Sequence, residues 1–325
     1  MKKSLVALAS LAAASAFAGV SITGTFDPSI NMEDTTYQNG NSVSQNYVRN
    51  NSQGTSGVTF SGSEDLGGGL KAMFLVENQL DSSKNTGIVG GGQQYLGLSG
   101  GFGSLQLGAA NTPSLTTMSA ATGFGTKIGG GFNFLSTGRV RNSNSVVYSS
   151  PTFSNVTVKV AHVFKTNADT NAATAVTEVG SVTDTGVFYA NGPLSVGYSM
   201  YKISAISGGD STKQNNLAVT YNLGMASVGF GSYSESKGTA TDSKANNLSV
   251  TVPMGNLSLI VNTGSKDDTT TANKDRKINT VGVKYAMSKN TSMYARFVNQ
   301  KFDNMTTASD VTQIKSTLVG MQTNF

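Results

Sequence analysis

The chain has no Cys and a single His among 325 residues. Without Cys there is neither a disulfide nor a thiolate metal site. With one His, a Ser-His-Asp centre would have to be built on His162, which continues the outward register of Val156, Val158 and Val160 and reads as an interfacial residue. Charge is also scarce, at 13% of residues, roughly half the share usual in soluble domains. Hydrophobic residues reach only 38%, so Gly, Ser, Thr and Asn fill the difference. No cluster of Lys or Arg accompanies the formal charge of +5, which argues against a nucleic-acid partner.

Long apolar runs are absent beyond the amino terminus. Lys2 and Lys3, the apolar stretch 5–14 and Ala16-Phe17-Ala18 have the order of a secretory signal with an Ala-x-Ala cleavage site. That places a signal peptide at 1–18, a mature chain at 19–325 and, with Lys2 and Lys3 removed from +5, a mature charge of +3. Nothing afterwards approaches the roughly 20 apolar residues of a membrane-crossing helix. Any span must be made by strands.

What is present is alternation. Leu194, Val196, Tyr198 and Met200 alternate with Ser195, Gly197 and Ser199. The same period of two recurs at 156–160, 217–222, 248–252 and 281–285. One face is apolar and the other small or charged, as strands between lipid and a wet lumen require. Connections alternate as well. Short turns fall at 65–68, 100–103, 151–155, 191–193, 222–225, 253–256 and 287–290. Longer polar loops fall at 34–53, 81–91, 111–140, 165–183, 204–212, 235–242, 265–275 and 302–310. Seven turns and eight loops join sixteen strands, the layout of an outer-membrane barrel. The last strand, ending at Phe325, is expected to close beside a first strand near 19–30.

The long connection 111–140 stands apart. Thr112 can cap a helical turn with Pro113 in its first position, and Leu115, Met118 and Ala121 recur at helical spacing. Gly123, Gly125, Gly129, Gly130 and Gly131 follow, with Phe124, Phe132 and Phe134. A connection this long is usually functional, and the expectation is that it folds into the lumen and narrows it.

Several blocks resemble the Gram-negative general porins of the β-proteobacterial and neisserial kind. They are Ser56 to Ala72 with Glu64-Asp65-Leu66-Gly67-Gly68-Gly69, Gln94 to Gly103, Asn144 to Phe153, Tyr285 to Thr291, and the terminal Phe325. The resemblance implies an all-β, sixteen-stranded antiparallel transmembrane barrel with the third outer loop folded inward, usually a homotrimer. It also implies the outer membrane of a Gram-negative bacterium, with lipid and lipopolysaccharide around the barrel and small hydrophilic solutes and ions inside it. Family members usually carry Arg where this chain has Ser61, Gly92 and Ala109, and loop 111–138 has no Asp or Glu.

The pore charges expected to matter are Lys127 in the loop, Arg139 and Arg141 where it returns to the wall, Lys71 and Glu77 on one strand, and Arg49 on another. Opposed charges of this kind bias which ions pass, and here they predict a mild anion preference. Glu64-Asp65 reads as part of a hairpin turn and Asp267-Asp268 as a solvated loop. No catalytic set, phosphate loop, metal or cofactor is expected. A solute-specific porin with Phe124, Phe132 and Phe134 along a track, and a non-conducting structural or adhesive protein, are the competing expectations.

Overall fold

A computed structural model describes residues 19–85, 87–131, 141–165, 180–205, 210–238, 241–268 and 275–325. The expected signal, along with Phe132, Phe134 and Arg139, lies outside these residues.

Sixteen antiparallel strands close on themselves, two of them interrupted. Strand β1 consists of Ser21–Phe26 and Pro28–Tyr37, broken at Asp27; β2 consists of Ser42–Asn50 and Gly57–Gly67. Then follow β3 (Leu70–Leu80), β4 (Ile88–Gly100), β5 (Gly103–Ala109), helix α1 (Pro113–Ala120), β6 (Ser145–Ser149) and β7 (Val156–Val163). The rest are β8 (Val182–Asn191), β9 (Leu194–Ile203), β10 (Thr212–Asn222), β11 (Ser227–Lys237), β12 (Thr241–Met254), β13 (Leu257–Asp268), β14 (Arg276–Ala286), β15 (Thr291–Phe302) and β16 (Val311–Asn324). Each pairs with its sequence neighbours, and β16 pairs with both halves of β1. At the seam Gly24 and Phe325 exchange backbone bonds of 2.8 and 3.0 Å, so no strand edge is left open.

The two faces of each strand meet different surroundings. On β14, Ile278 and Thr280 are buried inward, whereas Val281, Val283 and Tyr285 point outward and are 49%, 38% and 48% exposed. Such a ring of bare apolar side chains suits a hydrocarbon surround. His162 sits in the outward row between Val146 and Thr183, edge-on to Phe164 at 5.2 Å.

Short connections are tight. At the β2–β3 turn Gly67, Gly68 and Gly69 have φ of 83, 62 and 81°, a left-handed run that side chains oppose. Asp65 accepts from the Gly67 amide at 2.9 Å, which gives it a turn role.

Four expectations need correction. The first strand does not stop at Ile30 but runs to Tyr37. Residues 34–53 are not an outer loop: most are strand, with a short 38–41 turn. In Ser42–Asn50 the two valines, Val43 and Val48, stand five apart and so on opposite faces, which leaves no period of two to read in the sequence. The 235–242 and 265–275 loops are likewise shorter than expected, since strands continue to Lys237 and Asp268.

Candidate functional site

The loop after β5 is carried inward from its first residues. Thr112 caps α1 by accepting from the Leu115 amide at 3.2 Å, and Pro113 stands in the first turn. The helix is fastened at both ends to the lumen wall. Asp184 of β8 accepts from the Ser114 amide at 2.9 Å and the Ser114 hydroxyl at 2.8 Å. A carboxylate there satisfies a free first-turn amide and the positive helix end. At the other end Tyr233 donates to the Met118 carbonyl at 3.1 Å, while Asn247 and Ser249 donate to the Ala121 carbonyl at 3.1 and 3.0 Å. Between these ties Leu115 and Met118 bury against Tyr233, Ala245, Ile278, Val298 and Leu318. This apolar cluster lies inside the barrel. The expectation that the loop folds inward is met.

Beyond the helix the chain turns through Thr122–Gly125, Phe124–Lys127 and Lys127–Gly130 backbone bonds of 3.1, 3.0 and 3.0 Å. Gly129 has φ 84° and lies so close to the wall that an added Cβ would stand 2.7 Å from Thr280 Cγ2. Arg296 of β15, 3% exposed, holds this tip. Its guanidinium lies 4.0 Å over the Phe124 ring and donates to the Ile128 carbonyl.

The same guanidinium donates to the Ser52 carbonyl at 2.8 Å and Gln53 Oε1 at 2.5 Å. Segment 51–56, the break in β2, is therefore a second inward element. Asp27, fully buried, fixes it by accepting from the Gln53 and Gly54 amides at 2.6 and 2.7 Å and from Tyr294 at 2.6 Å. Arg296 thus joins loop and break. Replacing it with Met should loosen the tip and leave the Ser52 and Ile128 carbonyls unpaired. We expect a loss of about 2–3 kcal/mol, read as a lower temperature for the heat-induced mobility shift, together with noisier open-channel current.

The expected pore charges separate into groups. Lys127 donates to Thr55 of the inward break. Burial holds its ammonium below the usual lysine range; Asp27 opposes that, Arg141 reinforces it and Glu77 opposes it. Arg141 donates to Asn111 Oδ1 at 2.7 Å, the Asn111 amide to Gln93 Oε1 at 3.1 Å, and the Gln93 amide to Glu77 at 3.0 Å. This chain of bonds carries Arg141 and Glu77 to neighbouring wall positions. At Gly92, where the resemblance implied Arg, a Cβ would collide with the Glu77 carboxylate.

Arg49 and Lys127 line one cavity of about 570 Å³ with Glu33 and Tyr47. Glu77 and Thr55 line another, of about 450 Å³, beside the Phe325 seam. Lys71 is elsewhere: it pairs with Asp65 at the β2–β3 turn, exposed and six positions from Glu77. Among the described residues, none of Arg49, Lys127, Arg141, Glu33 and Glu77 is in an ion pair. Sequence reasoning missed Arg296, Asp184, Asp27 and Glu33. Arg296 had a signal, since Tyr294, Arg296 and Val298 alternate with Met293, Ala295 and Phe297.

A family model described as Gram-negative porin matches residues 4–305. The chain is 30% identical over 251 residues to outer membrane porin protein 32 of Delftia acidovorans, covering 70% of this chain and 68% of that protein. It is 30% identical over 255 residues to an outer membrane porin protein of Bordetella pertussis, covering 69% and 65%. Among solved structures, an anion-selective porin from Comamonas acidovorans aligns with a TM-score of 0.81 at 22% identity, over 95% of this chain and 100% of the other. The trimer form of Vibrio cholerae OmpT aligns at 0.62 and 15% identity, over 94% and 99%.

Proposed function

The chain belongs to the Gram-negative porin family, and from that premise we propose a passive outer-membrane channel for small hydrophilic solutes and ions with a mild preference for anions. The carrying observation is the loop pinned across the lumen by Asp184, Tyr233, Asn247 and Arg296. A fixed loop sets a size limit. Lys127 and Arg141, free of carboxylate partners among the described residues, tilt the field there toward anions. Glu77 beside Gly92 works against that tilt and keeps it weak. The selectivity named for the Comamonas acidovorans porin supports the same sign.

The proposal includes cleavage after Ala18, assembly as a homotrimer, and a lipid and lipopolysaccharide surround. The V. cholerae trimer supports the assembly. Roles for Arg49, Arg139 and Lys71 belong to it too: Arg49 acts on the outer side of the narrowing, Arg139 at the loop's return, and Lys71 at the turn-side rim. Proteoliposomes carrying the protein should swell in small sugars at rates that fall steeply with solute size. Swelling no faster than in protein-free vesicles would favour the non-conducting reading.

A further inference from the structure

We propose that the cavity bounded by β1, β2, β14–β16 and the loop tip is a transient binding site for zwitterionic solutes, specifically amino acids with aliphatic side chains. The inference rests on the channel reading and names a solute class within it. The cavity, about 570 Å³, falls in the range of about 300–1,000 Å³ typical of small-molecule sites. Three kinds of surface meet in it. Arg49 and Lys127 supply cationic donors, Glu33 supplies a carboxylate, and Ile128 and Ile314 supply an apolar wall.

The polar members are oriented by their neighbours. Arg49 donates to the Tyr47 hydroxyl at 3.1 Å, and Tyr47 donates to Glu33 Oε2 at 3.1 Å. Asn31 and Ser316 donate to that same oxygen, each at 3.1 Å. All three bonds converge on Oε2, leaving Oε1 to accept from a solute ammonium. The Lys127 hydrogen bond goes to the neutral hydroxyl of Thr55, so its charge is not cancelled and two of its three protons remain for a carboxylate. A simple cation faces two like charges in this cavity, and a dicarboxylate faces Glu33. A solute with adjacent carboxylate and ammonium answers both signs, and an aliphatic side chain covers the isoleucines.

The test titrates three solutes of like size against the ion current of the full-length channel in a planar bilayer at low salt. Leucine has both charges, 4-methylpentanoate lacks the ammonium, and leucinamide lacks the carboxylate. Leucine should reduce the current at roughly tenfold lower concentration than either analogue, the effect of one charge-assisted hydrogen bond. Glu33→Gln should remove the advantage of leucine over 4-methylpentanoate. Arg49→Gln should weaken both equally. Leucine no more effective than 4-methylpentanoate, or unaffected by Glu33→Gln in a barrel of normal heat-modifiable mobility, overturns the proposal while the channel stands. Should Glu33→Gln fail to insert, the wild-type ranking and the Arg49→Gln result decide the matter. A protein that passes no ions overturns the channel reading as well, so the two failures are distinct.

Discussion

Deleting Ser119–Gly131 should raise single-channel conductance by roughly twofold or more, since current follows the open cross-section, and leave the barrel folded. The deleted residues make no ladder bonds with the wall strands. Their contacts are side-chain ties to Asn247, Ser249 and Arg296 and the bond from Lys127 to Thr55, together with the packing of Phe124 and Ile128. Removing them opens those groups to lumen water and does not seal them unpaired in an apolar core, so the usual penalty for orphaned polar groups is small. The Asp184–Ser114 anchor and the first turns of α1 remain. Solute exclusion should shift to larger sugars in the same variant. Unchanged conductance and unchanged exclusion would place the narrowing elsewhere.

Replacing Lys127, Arg139 and Arg141 together by Gln should reduce the anion preference to none. Among the described residues Lys127 and Arg141 are free of carboxylate partners, and the proposed channel uses their charge to act on passing ions. Low-dielectric walls strengthen that field, and a screening length of about 8 Å at physiological salt confines it to the narrowing. With the cations gone, Glu77 remains beside Gly92 and the residual lean should be neutral to slightly cationic. A pH dependence follows from the burial of Lys127. Its pKa is lowered, so as pH rises it loses its proton before an ordinary lysine would. The wild-type preference should therefore weaken on the alkaline side. A zero-current potential unchanged in the triple variant would remove these residues from the selectivity account.

Much of the fold was legible because a wall between lipid and water writes its two faces into the chain. Val281, Val283 and Tyr285 alternate with small or polar residues, and they are the outward row. Thr112-Pro113 announced the helix start through the chemistry of a capped first turn. Ser42–Asn50 was read as loop because its two valines, Val43 and Val48, fall on opposite faces and leave no period. The site was legible only in part. Lys127 stood out as the sole charge of the 111–138 segment and Glu77 follows from strand parity, whereas Arg49 sits in a stretch that shows no period. The residues that fasten the loop did not stand out, because their partners lie far along the chain. Arg296 and Ile128 are 168 positions apart, and Asn247 and Ala121 are 126. Parity places Arg296 in the lumen, but only barrel closure shows what it holds. Lys71 shares its parity with Glu77, yet the turn at Gly67–Gly69 takes it to the rim.

The most direct test of a loop-narrowed, weakly anion-preferring pore is the zero-current potential of the purified protein in a planar bilayer under a salt gradient. Discrete conductance steps with a small potential of the anion-selective sign, growing as ionic strength falls, are the expected result. A potential of the cation-selective sign would contradict it and shift control of the pore to Glu77 and Glu33.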